Sequence, residues 1–251
     1  MILVMSGTKD GKEITNLLQS KGYEVYPTTA TEYSSFIEGF RGDGISKPLD
    51  IDGLMRIIKD KNISCIVDAT HPYAENASKN GIEASRRTGI KYIRFERETT
   101  NLPEGDLVVR VDGFEEAARK AFSLGKRVFL ATGTKELKIF VEYSKRCNGI
   151  LIVRTLPWDK SIEACSSYGI SPDRIIAMQG PFSRDLNKAL FKEYGADVVI
   201  TKESGDAGAV LAKVEAAIEL GIPIVIIRRS GLDYPLVVNE YSKVLDELKG
   251  E

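Results

Sequence analysis

The segment Asp68-Ala69-Thr70-His71-Pro72-Tyr73-Ala74 brings a carboxylate, a hydroxyl, an imidazole and a phenol into one short stretch of chain. Such groups move protons or orient a polar ligand near neutral pH. His71 is the sole histidine of the chain. It is a candidate catalytic group together with Asp68 and Tyr73, and Thr70 is a candidate ligand contact. The structural alternative is plain: Pro72 suits the start of a helix, and Asp68 or Thr70 would serve as ordinary caps. A lone histidine offers no ligand set for a metal, and no metal is expected. Cys65, Cys147 and Cys165 are widely spaced without a CxxC pair, which speaks against a disulfide framework or a zinc site and fits a reducing compartment.

Four further turns join glycine to hydroxyl, amide or cationic groups. Near the N-terminus, Ser6-Gly7-Thr8-Lys9, with Lys12 beyond, can bring backbone N–H groups against an anion at a helix start. It is neither a GxGxxG nor a Walker loop. Later come Thr132-Gly133-Thr134, Gln179-Gly180-Pro181-Phe182-Ser183 and Thr201-Lys202-Glu203-Ser204-Gly205. Each alone is a capping motif; recurring at successive strand ends, they form a set suited to phosphates, ribose or carboxylates. Arg154 adds a cation. There is no GxSxG, no HExxH and no elbow-type partner for His71, which weakens hydrolase readings.

These turns need rigid elements to aim them. Short apolar, β-branched runs precede them and helical periodicity follows, the pattern of βα units around a parallel sheet. Strands are expected at Ile2–Met5, Tyr23–Tyr26, Ile63–Asp68, Tyr92–Phe95, Leu107–Val111, Val128–Ala131, Ile150–Val153, Ile175–Met178, Val198–Thr201 and Ile224–Ile227. Helices are expected between them, and a last amphipathic helix at about Asn239–Leu248. Tyr33–Leu49, with no clear period, reads as an extended loop. Turn chemistry at Asn101–Gly105 puts a boundary near there, dividing an N-terminal half, 1–97, from a C-terminal half, 98–251. In open parallel sheets, ligands sit beyond the carboxyl ends of the strands, where strand order reverses.

The chain has 251 residues and 35 Lys plus Arg against 36 Asp plus Glu, a balance that gives no global attraction to nucleic acid or to an anionic membrane. No apolar run approaches the roughly 20 residues a membrane helix needs, and the apolar start reads as a buried strand rather than a leader. A cytoplasmic location is expected.

Taken together and in this order, the Ser-Gly-Thr start, Asp68–Ala74, Ala131-Thr132-Gly133-Thr134, Gln179–Ser183 and Thr201–Gly205 resemble the precorrin-6A and cobalt-precorrin-6A reductases of corrin (vitamin B12) synthesis. The resemblance spans nearly the whole chain. It implies an α/β protein of two Rossmann-like domains with NADPH or NADH in a cleft between them. It also implies reduction of one macrocycle double bond, C18–C19, of a tetrapyrrole substrate. Thr132, Gly133, Thr134, Arg154, Gln179, Gly180, Pro181, Phe182 and Ser183 then become the expected cofactor contacts. Ser6, Gly7, Thr8, Lys9, Lys12, Thr70, Lys202, Ser204 and Gly205 become the expected substrate contacts. One departure stands out: relatives begin Gly-Gly-Thr and carry an arginine soon after, whereas here Ser6 replaces the first glycine and Lys12 is the cation available. Competing readings are a two-domain nucleotide-sugar glycosyltransferase, for which no diphosphate-clamping basic set is evident, and a non-catalytic nucleotide or small-ligand sensor. Whether the macrocycle carries cobalt, which dinucleotide is preferred and the oligomeric state are left open.

Overall fold

Runs of Val, Ile and Leu form strands buried on both faces, as parallel sheets require. β1 (Ile2–Met5) and β4 (Cys65–Asp68) are buried at every position. The computed structural model describes residues 1–30, 45–98, 101–203, 207–229 and 231–249. Two units divide it, Met1–Glu98 with Ser230–Glu251, and Thr99–Arg229.

In the first unit β1 leads through α1 (Lys9–Ser20) to β2 (Val25–Thr29), β3 (Ile45–Ser46) and α2 (Ile51–Asp60). β4, α3 (Glu75–Thr88) and β5 (Lys91–Phe95) follow. The sheet runs β3-β2-β1-β4-β5-β12, where β12 is Val237–Val238, and all neighbours are parallel. Strand order reverses between β1 and β4, whose carboxyl ends carry the Ser6 turn and the Asp68 loop. Helix caps fix these turns: the Thr8 hydroxyl accepts from the Gly11 N–H at 3.1 Å and donates to the Ala69 carbonyl at 2.8 Å. The two loops are thereby tied together.

The second unit contains β6 (Val108–Val111), α4 (Phe114–Leu124), β7 (Arg127–Leu130), α5 (Leu137–Arg146), β8 (Ile150–Thr155) and α6 (Asp159–Ser167). It continues with β9 (Ile175–Ala177), α7 (Arg184–Glu193), β10 (Val198–Lys202), α8 (Ala207–Glu219) and β11 (Ile224–Ile227). Its parallel sheet runs β9-β8-β7-β10-β11-β6, with its reversal between β7 and β10. The first five places of the two sheets follow one plan. The sixth place is filled in the first unit by the last strand of the chain and in the second unit by that unit's own first strand.

The expected C-terminal half, 98–251, is therefore corrected at its far end, because the segment from Ser230 onward completes the first unit. Val237 and Val238 pair with Arg94 and Phe95, and Val244 and Leu248 of α9 (Tyr241–Lys249) enter the core around Ile14 and Leu18. A two-residue strand gives no alternation to read, so its partner could not be assigned from sequence. The expected strand Tyr23–Tyr26 is shifted to Val25–Thr29. Of the expected loop Tyr33–Leu49, residues 31–44 lie outside the described residues, and Ile45–Ser46 pair with Thr28–Thr29 as a strand. Among the described residues no helix is long and apolar enough to cross a membrane.

Candidate functional site

In the first unit Asp68 ends β4 fully buried. One carboxylate oxygen accepts from the Thr70 N–H at 2.9 Å, the Thr70 hydroxyl at 2.7 Å and Arg94 Nη1 at 2.9 Å. The other accepts from the Ser78 hydroxyl at 2.6 Å and the Tyr92 hydroxyl at 2.5 Å. These donors come from the loop itself, from α3 and from β5. A buried charge is tolerable only when so paired. Burial, and then the Asp68 carboxylate, push the Tyr92 hydroxyl above its usual range, so it stays a donor. Arg94 is 1% exposed, also reaches the Thr70 hydroxyl at 3.2 Å and lies 5.2 Å from the Tyr234 ring centre. Desolvation works against its charge, but Asp68 leads the groups that hold it protonated. Asp68 is thus an acceptor on both oxygens that shapes the loop.

His71 and Tyr73 are half-buried, with ring centres 5.6 Å apart, and His71 Nδ1 accepts from the Tyr73 N–H at 3.3 Å. Ser6 and Thr70 line one pocket at the ends of β1, β2 and β4. Gly7, Thr8, Lys9 and Lys12 do not line it. Lys9 is exposed on α1, and the Asp10 carboxylate of that helix accepts from Arg97 at 2.6 Å and from the Tyr241 hydroxyl at 2.6 Å. A Cβ at Gly11 would strike the Ser6 side chain. Glycine there leaves the room that the Ser6 side chain occupies.

In the second unit Gly133, Arg154, Gly180, Pro181 and Phe182 line a pocket of about 210 Å³ at the ends of β7, β8 and β9, without an acidic residue among the described residues. Arg154 is 6% exposed. Its Nη1 donates to Asn187 Oδ1 at 2.8 Å, and its guanidinium lies 4.6 Å from the Phe182 ring centre and 5.5 Å from that of Phe129. No carboxylate faces it among the described residues, and desolvation alone pushes it down to about 10. It therefore stays charged at neutral pH, buried without a counter-ion. Gly133 adopts φ +77, the left-handed region where a side chain is strained. Thr201 follows on β10 beside Ala131, which lines the pocket, and its buried hydroxyl has no hydrogen-bond partner among the described residues.

Five of the nine expected cofactor contacts thus converge. Thr132 and Thr134 flank Gly133 without lining the pocket, Gln179 is exposed, and Ser183 caps α7 through the Leu186 N–H at 3.2 Å. Lys202 ends β10 and is held down to about 8, chiefly by desolvation, then by Lys135, with Glu136 opposing. Ser204 and Gly205 lie outside the described residues. Sequence reasoning missed Asn187, which is fully buried on α7 and holds Arg154. It also missed Tyr92, Arg94 and Ser78; a signal existed in Arg94, a charge between the apolar Ile93 and Phe95 of a buried strand.

Two parallel sheets that reverse between their third and fourth places, each with small-residue and cationic loops at its carboxyl edge, define the class of Rossmann-like nucleotide-binding enzymes. The family model described as precorrin-6x reductase CbiJ/CobK matches residues 1–249. A cobalt-precorrin-6A reductase of Priestia megaterium is 37% identical, covering 99% of this chain and 98% of its own length. One of Methanocaldococcus jannaschii is 39% identical, covering 97% and 96%. Among solved structures, CobK precorrin-6A reductase superposes with a TM-score of 0.81 at 25% identity, over 99% of this chain and 96% of that one. The chain belongs to the precorrin-6x reductase family, a family of NAD(P)H-dependent oxidoreductases of cobalamin biosynthesis.

Proposed function

We propose that this chain reduces a macrocycle double bond of cobalt-precorrin-6A with a reduced nicotinamide dinucleotide whose phosphates lie against the second unit. The observation that carries the placement is Arg154, a buried guanidinium with aromatic faces and no carboxylate partner, lining an acid-free pocket. A buried cation without a counter-ion is costly, and an anionic ligand offsets that cost. The cobalt form is supported by the printed names of the relatives at 37% and 39% identity. A pocket of about 210 Å³ admits part of a nucleotide but not a tetrapyrrole.

When bound, the reduced nicotinamide supplies the hydride. Gly133 and Gly180 let backbone approach the phosphates, and Arg154 and Lys202 face negative charge. On the first unit, Thr70 and His71 contact the macrocycle and Asp68 keeps them in place. Hydride addition to one carbon calls for a proton at its neighbour. His71 and Tyr73 are the side chains we assign to that proton, because the Asp68 carboxylate is saturated by Thr70, Ser78, Tyr92 and Arg94.

Purified protein is to be mixed with precorrin-6A, with and without cobalt, while the absorbance of NADPH or of NADH is followed. Turnover of the cobalt form, with either dinucleotide, is the expected result. Absence of oxidation with both macrocycles and both dinucleotides refutes the reading. Arg154→Met is expected to weaken dinucleotide binding about ten- to a hundredfold, the loss of a charge-assisted contact of about 1.5–3 kcal/mol.

A further inference from the structure

The pocket of the first unit contains groups that neither the Asp68 loop nor the glycine turns account for. It is bounded by the ends of β1, β2 and β4 and by the first turn of α3, and holds Thr28, Lys47 and Asn76 besides Ser6 and Thr70. Thr28 is 5% exposed. It lines the cavity. α3 starts after Ala74 with no side-chain cap, as do α4, α5 and α6, whereas Thr8, Asp50 and Ser183 accept from the first turns of α1, α2 and α7. The uncapped first turn, with Asn76 and Ala77 in it, faces the same space. Its N–H groups and the helix dipole favour negative charge there. Beside the apolar Met5, Leu49 and Leu54, the lining holds hydroxyls, amides and the Lys47 ammonium, and no acidic residue among the described residues.

We infer that this pocket takes one carboxylate arm of the macrocycle, with Thr28, Asn76 and Lys47 as specificity residues. The inference rests on the proposed substrate reading. A cavity of about 110 Å³ admits a short carboxylate arm and excludes the ring that bears it. Thr70 forms one wall. Its hydroxyl is oriented by donation to Asp68 and by the Arg94 guanidinium, so the wall is rigid before substrate arrives. The lone pairs of a carboxylate match the donors among the lining residues, the Thr28 hydroxyl and the Asn76 amide. Lys47, exposed at the mouth, adds attraction that salt screens.

The test measures KM for cobalt-precorrin-6A, kcat and the dissociation constant for the reduced dinucleotide in Thr28→Val, Asn76→Asp and His71→Asn, with thermal midpoints as the folding check. Thr28→Val keeps the branched shape and deletes only the hydroxyl. It is expected to raise the macrocycle KM about tenfold, with kcat moving less and dinucleotide affinity within twofold. Asn76→Asp places a like charge against the arm. It is expected to raise KM further, an effect that shrinks as salt is added. If both pocket variants fold and keep the parental KM while His71→Asn raises it, the carboxylate subsite is overturned and the substrate loop stands. If dinucleotide affinity falls and the macrocycle KM does not, the pocket belongs to the cofactor and the inference is wrong. If His71→Asn also leaves KM and kcat unchanged, the substrate reading of this unit falls and takes the inference with it.

Discussion

Lys202 illustrates how burial sets the pH range of a contact. At the end of β10 desolvation leads and Lys135 assists in bringing it down to about 8. The ammonium predominates below that value and the neutral amine above it. If Lys202 meets a ligand anion, affinity is flat at lower pH and falls as pH rises through about 8, toward tenfold per unit. Lys202→Arg, charged throughout, is expected to flatten that fall. Titrating ligand affinity between neutral pH and pH 9 in both proteins checks this, and identical curves would remove Lys202 from the contact. The same scale separates Asp68 from His71. Both stood out in the sequence as chemistry-bearing residues of one heptapeptide, but their surroundings differ. Residue type was legible; partners from β5 and α3, such as Tyr92, Arg94 and Ser78, were not, because they come from more distant positions on the chain.

Between residues and sheets stand the strand-end loops, and the Gln179–Ser183 loop shows what an element contributes. Gly180 has no side chain, and a Cβ there would lie 3.2 Å from the Phe182 ring. Phe182 in turn lies against Arg154 at 4.6 Å. Gly180→Val therefore displaces the ring that packs on the guanidinium. Dinucleotide affinity is expected to fall tenfold or more, while stability changes by only about 1 kcal/mol, as at a site outside the buried core. Calorimetric titration with the reduced dinucleotide, beside a thermal scan, checks it; unchanged affinity in the folded variant would remove this loop from the cofactor site. The strands that end in these loops were legible because continuous apolar runs are what a doubly covered sheet demands. β3 and β12, two residues each, were not. Helix caps were legible in type, whereas the absence of one at α3 appears only when Ala74 is placed.

At the scale of the whole chain, the decisive feature is that the first unit is closed by the last residues. The Arg94 N–H donates to the Leu236 carbonyl at 2.8 Å and the Glu96 N–H to that of Val238 at 2.9 Å. Lys91 Nζ reaches the Glu247 carboxylate at 2.8 Å. Val238, Val244 and Leu248 are buried against Ile14, Leu18 and Phe95. Burying a large aliphatic side chain stabilises by about 1.5–3 kcal/mol. The apolar contacts of this segment are thus worth roughly 5–9 kcal/mol before hydrogen bonds, comparable with the roughly 5–15 kcal/mol by which a whole domain is stable. The second unit draws all six strands from Thr99–Arg229. Deleting residues 230–251 is therefore expected to abolish hydrogen-exchange protection in β1, β4 and β5 while β7, β10 and β11 keep theirs. Exchange measured by mass spectrometry on the truncated and intact chains decides the matter. Undiminished protection of Ile2–Met5 and Cys65–Asp68 in the truncated chain would mean that β12 and α9 only decorate a sheet already stable without them.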